Sequence, residues 1–438
     1  MDARIQYVIN YFRKMYHIPE DFEIGYGTSN QPINVHQADP EYFTTIQVLD
    51  ISQVYWKKWK DQKLPLLFGP YNDQPFFEKI NGKVMVHDDL FLSAFYFLSA
   101  WQEYIYFHYH PVAHYPYTES TQAKLNITRI PVVNFYFEIL KAAVDMATGK
   151  PSQNPVWKGK SYALCLTHDV DKCQTGWLED GFYTLKQGEI KETVKIVVQK
   201  IRGVDTWFNF QEILNIEKRV NANSTFFFLT QKKQSGGESA DYRISQDKIK
   251  TVLGEIKQNG GEIGIHGSIN SYKDGKHLQQ EKDRIPSPVI GNRFHYLSFR
   301  NPQTLTTLEE ASIHYDSTLG FAQETGFRNG IAWPFPLYDC KRDRVSPVLE
   351  IPLVIMDTTL RKYRHENPYE VFPKVKDILE QIKKINGLCA ILWHNNYFTN
   401  HKFRGWGKLY EKILQHVYEE AWLASGEEVY RYCQFLLS

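Results

Sequence analysis

Charge of one sign is what this sequence lacks most plainly. Its 51 Lys and Arg residues stand against 50 Asp and Glu, a formal net charge of +1 over 438 residues. A chain so balanced has no global field with which to hold DNA, RNA or an anionic membrane surface, so no nucleic-acid partner is expected. Cysteine is scarce. Cys165, Cys173, Cys340, Cys389 and Cys433 cannot all pair with one another and show no C-x-x-C spacing, so they are expected as reduced, mostly buried thiols of a cytosolic protein. Long apolar runs are missing too. The N-terminal stretch has neither a continuous apolar segment nor a small-residue cleavage site, so no signal peptide is expected. The greasiest run, LFLSAFYFLSAW from Leu90 to Trp101, is too short to span a bilayer and reads as a buried helix. No integral membrane segment is expected, and the cytoplasm is the expected location. Repeats and low-complexity segments are also absent. Aromatic residues are abundant, with 28 Tyr and 10 Trp; such rings fill cores and also suit amphipathic surfaces such as sugars. Hydrophobic content of 42% and charged content of 23% exclude a wholly disordered chain.

A length of 438 residues suggests two or three domains. Residues 1–155 read as an α+β accessory domain. An amphipathic helix over 1–16 buries Ile5, Val8, Ile9, Phe12 and Met15. FEIGYG and TTIQVLDIS read as strands, residues 90–107 as one long buried helix, and residues 131–147 as another. The segment GKPSQNPVWKGK (149–160), rich in Pro, Gly and Lys, reads as a linker. Over 156–438 the pattern changes. Short apolar runs at 162–169, 224–230, 261–267, 294–300, 311–317, 348–357 and 388–395 alternate with helical stretches such as 246–258 and 369–385. That alternation predicts parallel strands joined by helical crossovers, hence an α/β barrel or a distorted relative. In such barrels the site lies at the strands' C-terminal ends, and polar residues cluster there: Asp169, Asp171, His266, Arg300, Asp316 and His394.

Asp169 and Asp171 stand two apart at a strand end, which turns both carboxylates to one face and His168 and Val170 away. Two adjacent carboxylates repel unless a cation compensates, and a metal ion would also free one of them to act as a base. The same pair could equally cap a following helix. His266 ends a second strand and His394 another, each also readable as a polar strand end. Arg300 ends the run FHYLSFR, and a cation there needs a partner, for which Asp169 is the natural choice.

Taken in order, THDVD (167–171), HGSIN (266–270), RNP (300–302), YDSTLGF (315–321) and ILWHN (391–395) resemble the motifs of the polysaccharide deacetylases of carbohydrate esterase family four, the NodB-homology superfamily. The resemblance covers residues 160–438, and STFFFLT (224–230) resembles that family's second strand. The segment DDLFLSAFYFLSAWQEY (88–104) looks like the region before the catalytic domain in a long bacterial subgroup. The resemblance implies a distorted (β/α)7 NodB-like barrel and a metal-assisted hydrolase that removes an acetyl group from an acetylated sugar in bacterial surface polysaccharide metabolism. It further implies a divalent ion, commonly zinc, on Asp171 and His266. Asp169 would be the general base, His394 the general acid and Arg300 the residue that holds Asp169 ionised. Asp316 would orient His394, with Asp357 as its rival. Trp333, Tyr272, Trp393 and Tyr397 would stack on sugar rings.

One departure stands out. The family's second metal histidine falls on Asn270, whose neutral amide oxygen is a poorer zinc ligand, and Gly267 stands where the family has Ser or Thr. The site could bind metal through Asp171, His266 and water or Asn270, borrow a more distant histidine such as His295, or have lost its metal. Two other readings stay open: a catalytically impaired carbohydrate-binding barrel, and a hydrolase of a non-sugar C–N amide bond.

Overall fold

The computed structural model of the chain describes every residue except 1, 28, 29, 40, 70, 71, 111, 113 and 232–238. The N-terminal part opens on α1 (Ala3–Tyr16), whose apolar positions are buried as the spacing predicts and whose first turn is capped by the Asp2 carboxylate. Six short strands follow, β1 (Ile24–Tyr26), β2 (Ile33–Val35), β3 (Tyr55–Trp59), β4 (Gln62–Leu66), β5 (Phe77–Ile80) and β6 (Lys83–Val86). They make a four-stranded sheet of order β1-β2-β6-β5 and a separate β3–β4 hairpin.

Two expectations for this part need correction. TTIQVLDIS is not a strand: residues 45–50 run as coil, with Val48 71% exposed and no neighbouring strand to pair with. The long helix over 90–107 is two helices, α2 (Leu90–Leu98) and α3 (Trp101–Tyr109), broken where Ala100 takes a left-handed φ of 52°. The break frees the Ser99 carbonyl, which accepts from Asn301 Nδ2 at 3.1 Å. A straight helix would have used that carbonyl internally.

The remainder builds the curled sheet that the strand–helix alternation predicts. Its strands are β7 (Tyr162–Val170), β8 (Thr225–Phe228), β9 (Glu262–Gly267), β10 (Gly291–Phe294), β11 (Tyr315–Asp316), β12 (Phe335–Asp339), β13 (Arg344–Glu350), β14 (Leu353–Met356), β15 (Leu388–Leu392) and β16 (Ala421–Ala424). The order is β12-β13-β11-β10-β9-β8-β7-β15-β14, with β16 on β7. Every pair is parallel except the β12–β13 hairpin. The curl comes round on itself where the Leu353 N–H reaches the Leu319 carbonyl just beyond β11, at 3.2 Å. β7, β8 and β15 are buried on both faces, which is why they read as continuous apolar runs. β10 ends at Phe294, not at Arg300, and His295–Leu297 turns away in a short 3-10 segment with left-handed φ at Tyr296 and Leu297.

The N-terminal part packs directly on this sheet. Tyr7 and Tyr11 of α1 donate to the Pro336 and Pro334 carbonyls at 2.7 and 2.9 Å. Glu103 of α3 forms a bidentate pair with Arg328 at 2.8 and 2.6 Å, both side chains sealed from water. All five cysteines are buried and free. Among the described residues no helix is long and apolar enough to cross a membrane.

Candidate active site

Alternation along β7 turns Asp169 inward and His168 outward. His168 is fixed in the wall, with Nδ1 2.6 Å from the Trp393 carbonyl and Nε2 2.8 Å from Glu217 Oε1. Asp169 is 2% exposed, and its Oδ1 accepts from Arg293 Nη1 at 3.0 Å. Arg293 also donates to Thr167 Oγ1, to the Ser317 carbonyl and to Ser317 Oγ at 2.7 to 2.8 Å. Every guanidinium nitrogen is therefore committed, and the Asp169 carboxylate meets a fixed cation. Arg300, expected in this role, instead donates to the Phe107 carbonyl at 3.2 Å and lies over the Phe107 ring. Once β10 ends at Phe294, Arg300 is carried past the strand end and toward α3.

Asp171 Oδ1 lies 3.2 Å from His266 Nε2 and 3.7 Å from His295 Nε2. The three ligand atoms all fall within 4.8 Å of one another. Asp171 Oδ1 is itself buried and has no aligned hydrogen-bond donor. His266 Nδ1 sits 2.8 Å from the Arg293 carbonyl. Donation there puts a proton on Nδ1 and makes Nε2, which faces Asp171, the nitrogen that can bind a metal once it is deprotonated. Burial pushes the Asp171 carboxyl up, but the imidazoles of His295, His266 and His394 outweigh it and hold it well below the usual carboxylate range. Burial pushes His266 down, and the Asp169 and Asp171 carboxylates more than reverse that. One carboxylate oxygen and two imidazole nitrogens lining a cavity are a donor set suited to a zinc-like divalent ion. Asn270 takes no part: it is exposed and leads into the 3-10 turn Ser271–Lys273. Gly267 has its own explanation. A Cβ there would lie 2.5 Å from the Phe294 ring, so no serine or threonine fits.

His394 follows β15. Its Nδ1 is 2.8 Å from Asp357 Oδ1, and its backbone N–H donates to Asp357 Oδ2 at 2.5 Å. Burial lowers the pKa of His394, but the Asp357 carboxylate, helped by Asp169 and Asp171, raises it to about 9. Asp357, not Asp316, is the residue that orients this imidazole. Asp316 lies in the wall, accepting from Asn292 Nδ2 at 2.6 Å and from Thr318, with burial holding its carboxyl above the usual range.

Asp169, Asp171, His266, His295 and His394 line one cavity of about 590 Å³. Tyr397 lines it too, stacked on Phe403 with centroids 4.3 Å apart. The other three expected ring platforms do not. Trp333 is buried against Tyr16 and Phe137 near the N-terminal end of β15, with Nε1 donating to the Asn386 carbonyl. Trp393 points outward onto Trp406 and Tyr410. Tyr272 is buried in its 3-10 turn. In their place the cavity is walled by Trp207, Phe294, Phe321 and, from the N-terminal part, His114 and Tyr115. Arg293 was legible in principle: in the string N-R-F-H, Arg293 and His295 share a strand face, provided the strand is taken to start at Gly291.

Comparisons with known proteins add the following. A model described as a family of unknown function (DUF7033) matches residues 2–148. No curated protein matches the chain. Three solved structures are among those the chain is similar to. A protein of Mycobacterium smegmatis assigned as a polysaccharide deacetylase is 16% identical, over 63% of this chain and 92% of that one, with a TM-score of 0.43. The peptidoglycan deacetylase PdaC of Bacillus subtilis is 12% identical, over 63% and 93%, with a TM-score of 0.28. BA3943 of Bacillus anthracis, a pseudoenzyme of the CE4 family, is 11% identical, over 67% and 82%, with a TM-score of 0.29. At such identities the role of a side chain does not pass from one protein to another, and fold alone does not specify activity.

Proposed function

We propose that this protein is a metal-dependent hydrolase that removes an acetyl group from an acetylated sugar. One observation carries the reading: a clamped carboxylate, a three-residue metal-binding set and a carboxylate-backed imidazole line the same cavity. Hydrolysis of an N-acetyl group can use each of them: a base for the water, a Lewis acid for the carbonyl and an acid for the departing amine.

Asp171, His266 and His295 would hold the ion, zinc being the best match to one oxygen and two nitrogen donors. When bound, it supplies Lewis-acid polarisation to the water and the acetyl carbonyl. Asp169 is the base. It takes a proton from water as the water oxygen bonds to the acetyl carbon, and the Arg293 guanidinium at 3.0 Å keeps it aimed. His394 is the acid. Its Nδ1–H is committed to Asp357, so Nε2 delivers a proton to the nitrogen as the C–N bond breaks, giving an amine and acetate. A pKa of about 9 keeps this imidazole protonated near neutral pH, which an acid requires. Tyr397, stacked on Phe403, contributes aromatic wall to the cavity that would receive the sugar.

The test is acetate release from N-acetylglucosamine oligomers by the zinc-loaded protein. Release that disappears in Asp169→Asn and in His394→Gln supports the proposal. Oligomer binding without release, unaltered by either substitution, contradicts it.

A further inference from the structure

The charged residues around the cavity do not cancel. Asp169 is neutralised by Arg293, and Asp171 faces imidazoles. Glu179 is paired with Lys402, and Arg328 with Glu103. Lys172, Arg361 and Lys362 also line the cavity. Among the described residues no acidic side chain forms an ion pair with any of the three. Such an excess is not a property of the whole chain, whose net charge is only +1.

Two of these cations share one short turn. Arg361 and Lys362 lie on a π-helical turn, Thr359–Tyr363, that begins two residues after Asp357. Such turns are rare and are frequently found at functional sites. Thr359 Oγ1 ties this one to the Ala322 carbonyl at 2.8 Å. The Arg361 guanidinium lies over the Phe403 ring, 4.6 Å from its centroid. A stacked guanidinium keeps its planar fork of donors in one orientation, suited to an oxyanion. Lys172 follows the metal-site residue Asp171, and its backbone is pinned where its carbonyl accepts from Asn395 Nδ2 at 3.0 Å.

We infer that the sugar this cleft takes is anionic, bearing a phosphate or carboxylate group within reach of Lys172, Arg361 and Lys362. The inference rests on the proposed function for the sugar and adds its charge. A neutral glycan would leave three cations facing the cavity without an opposite charge, whereas an oxyanion there gains charge-assisted hydrogen bonds.

The experiment measures calorimetric binding to the zinc-loaded protein of methyl N-acetylglucosaminide, N-acetylglucosamine 1-phosphate, and a disaccharide of N-acetylglucosamine and glucuronic acid. At low salt at least one anionic probe is expected to bind tenfold or more tightly than the neutral one, about the effect of one charge-assisted contact. The advantage is expected to shrink at about 0.5 M salt, where screening is strong. The phosphate and carboxylate arms identify which anion is preferred. Arg361→Gln and Lys362→Gln should each narrow the ratio of anionic to neutral affinity. A merely structural loss would weaken all probes alike. Equal binding of all three probes, no binding of either anionic probe, or variants that weaken every probe equally would overturn the inference. Charge preference without acetate release would leave it standing while the hydrolase reading fell. Acetate release with equal KM for charged and neutral sugars would do the reverse.

Discussion

Arg293 Nη1 meets Asp169 Oδ1 at 3.0 Å with both side chains sealed from solvent, and the same arginine offers its backbone carbonyl to His266 Nδ1 at 2.8 Å. One residue thus fixes the Asp169 carboxylate through its side chain and the His266 imidazole through its main chain. Two residues on, His295 approaches Asp171. The β10 end therefore contributes to both halves of the site.

Removing the Arg293 charge should be costly. Breaking a buried ion pair leaves an uncompensated charge and typically costs about 3–5 kcal/mol. Arg293→Gln is expected to lower the melting temperature markedly and to abolish acetate release. Arg300→Gln, at a half-buried position against Phe107, should cost under about 1 kcal/mol. Thermal unfolding of the two variants side by side checks this, and equal losses would contradict it.

His295 is expected to be needed for tight metal binding and Asn270 is not. His295→Ala should weaken zinc by at least about 100-fold, the upper range seen when even the supporting partners of metal ligands are removed. Asn270→Ala should leave affinity near that of the natural chain. Competition with a chromogenic chelator measures both.

Asp357→Asn should move the alkaline limit of activity. With Asp357 present, His394 titrates at about 9 instead of the ordinary 6.5. A raised value means that the acid form persists until pH climbs through the higher number. Removing the carboxylate charge lowers that value, so kcat/KM should begin to fall at a lower pH. A pH profile with an unmoved alkaline limb would remove His394 from the role of acid.

Glu262 provides a pH signature away from the cleft. Its Oε2 accepts from Thr225 Oγ1, Tyr315 and the Glu427 N–H at 2.6 to 2.8 Å. Burial nonetheless pushes its pKa from 4.5 to about 7. The folded chain then holds more protons than the unfolded chain between those values. This contribution to stability is complete below the lower value and is lost as pH rises through the upper one, by at most about 3 kcal/mol. Glu262→Gln should flatten the fall in denaturation midpoint over that window.

The barrel was legible because its strands are buried on both faces and read as unbroken apolar runs, as YALCLTHDV does along β7. The positions of Asp169, Asp171, His266 and His394 followed from where such runs end. The β10 region defeated that reading. FHYLSFR is apolar enough to be a strand, yet Phe294 is the last residue that pairs, and left-handed φ at Tyr296 and Leu297 redirects the chain. That shift withdrew Arg300 and supplied Arg293 and His295. The two tryptophans were misassigned for different reasons. Alternation already turns Trp393 away from the cleft if His394 faces into it, and the ring-platform expectation set that rule aside; what spacing does not say is that Trp333 is covered by Tyr16 and Phe137 from the other end of the sequence.

Anomalous scattering at the zinc edge from crystals of the zinc-loaded protein tests the central claim most directly. The account predicts one strong peak about 2.0–2.2 Å from Asp171 Oδ1, His266 Nε2 and His295 Nε2. A peak bound by Asn270 with His295 turned away, or no peak in this cleft, would contradict it.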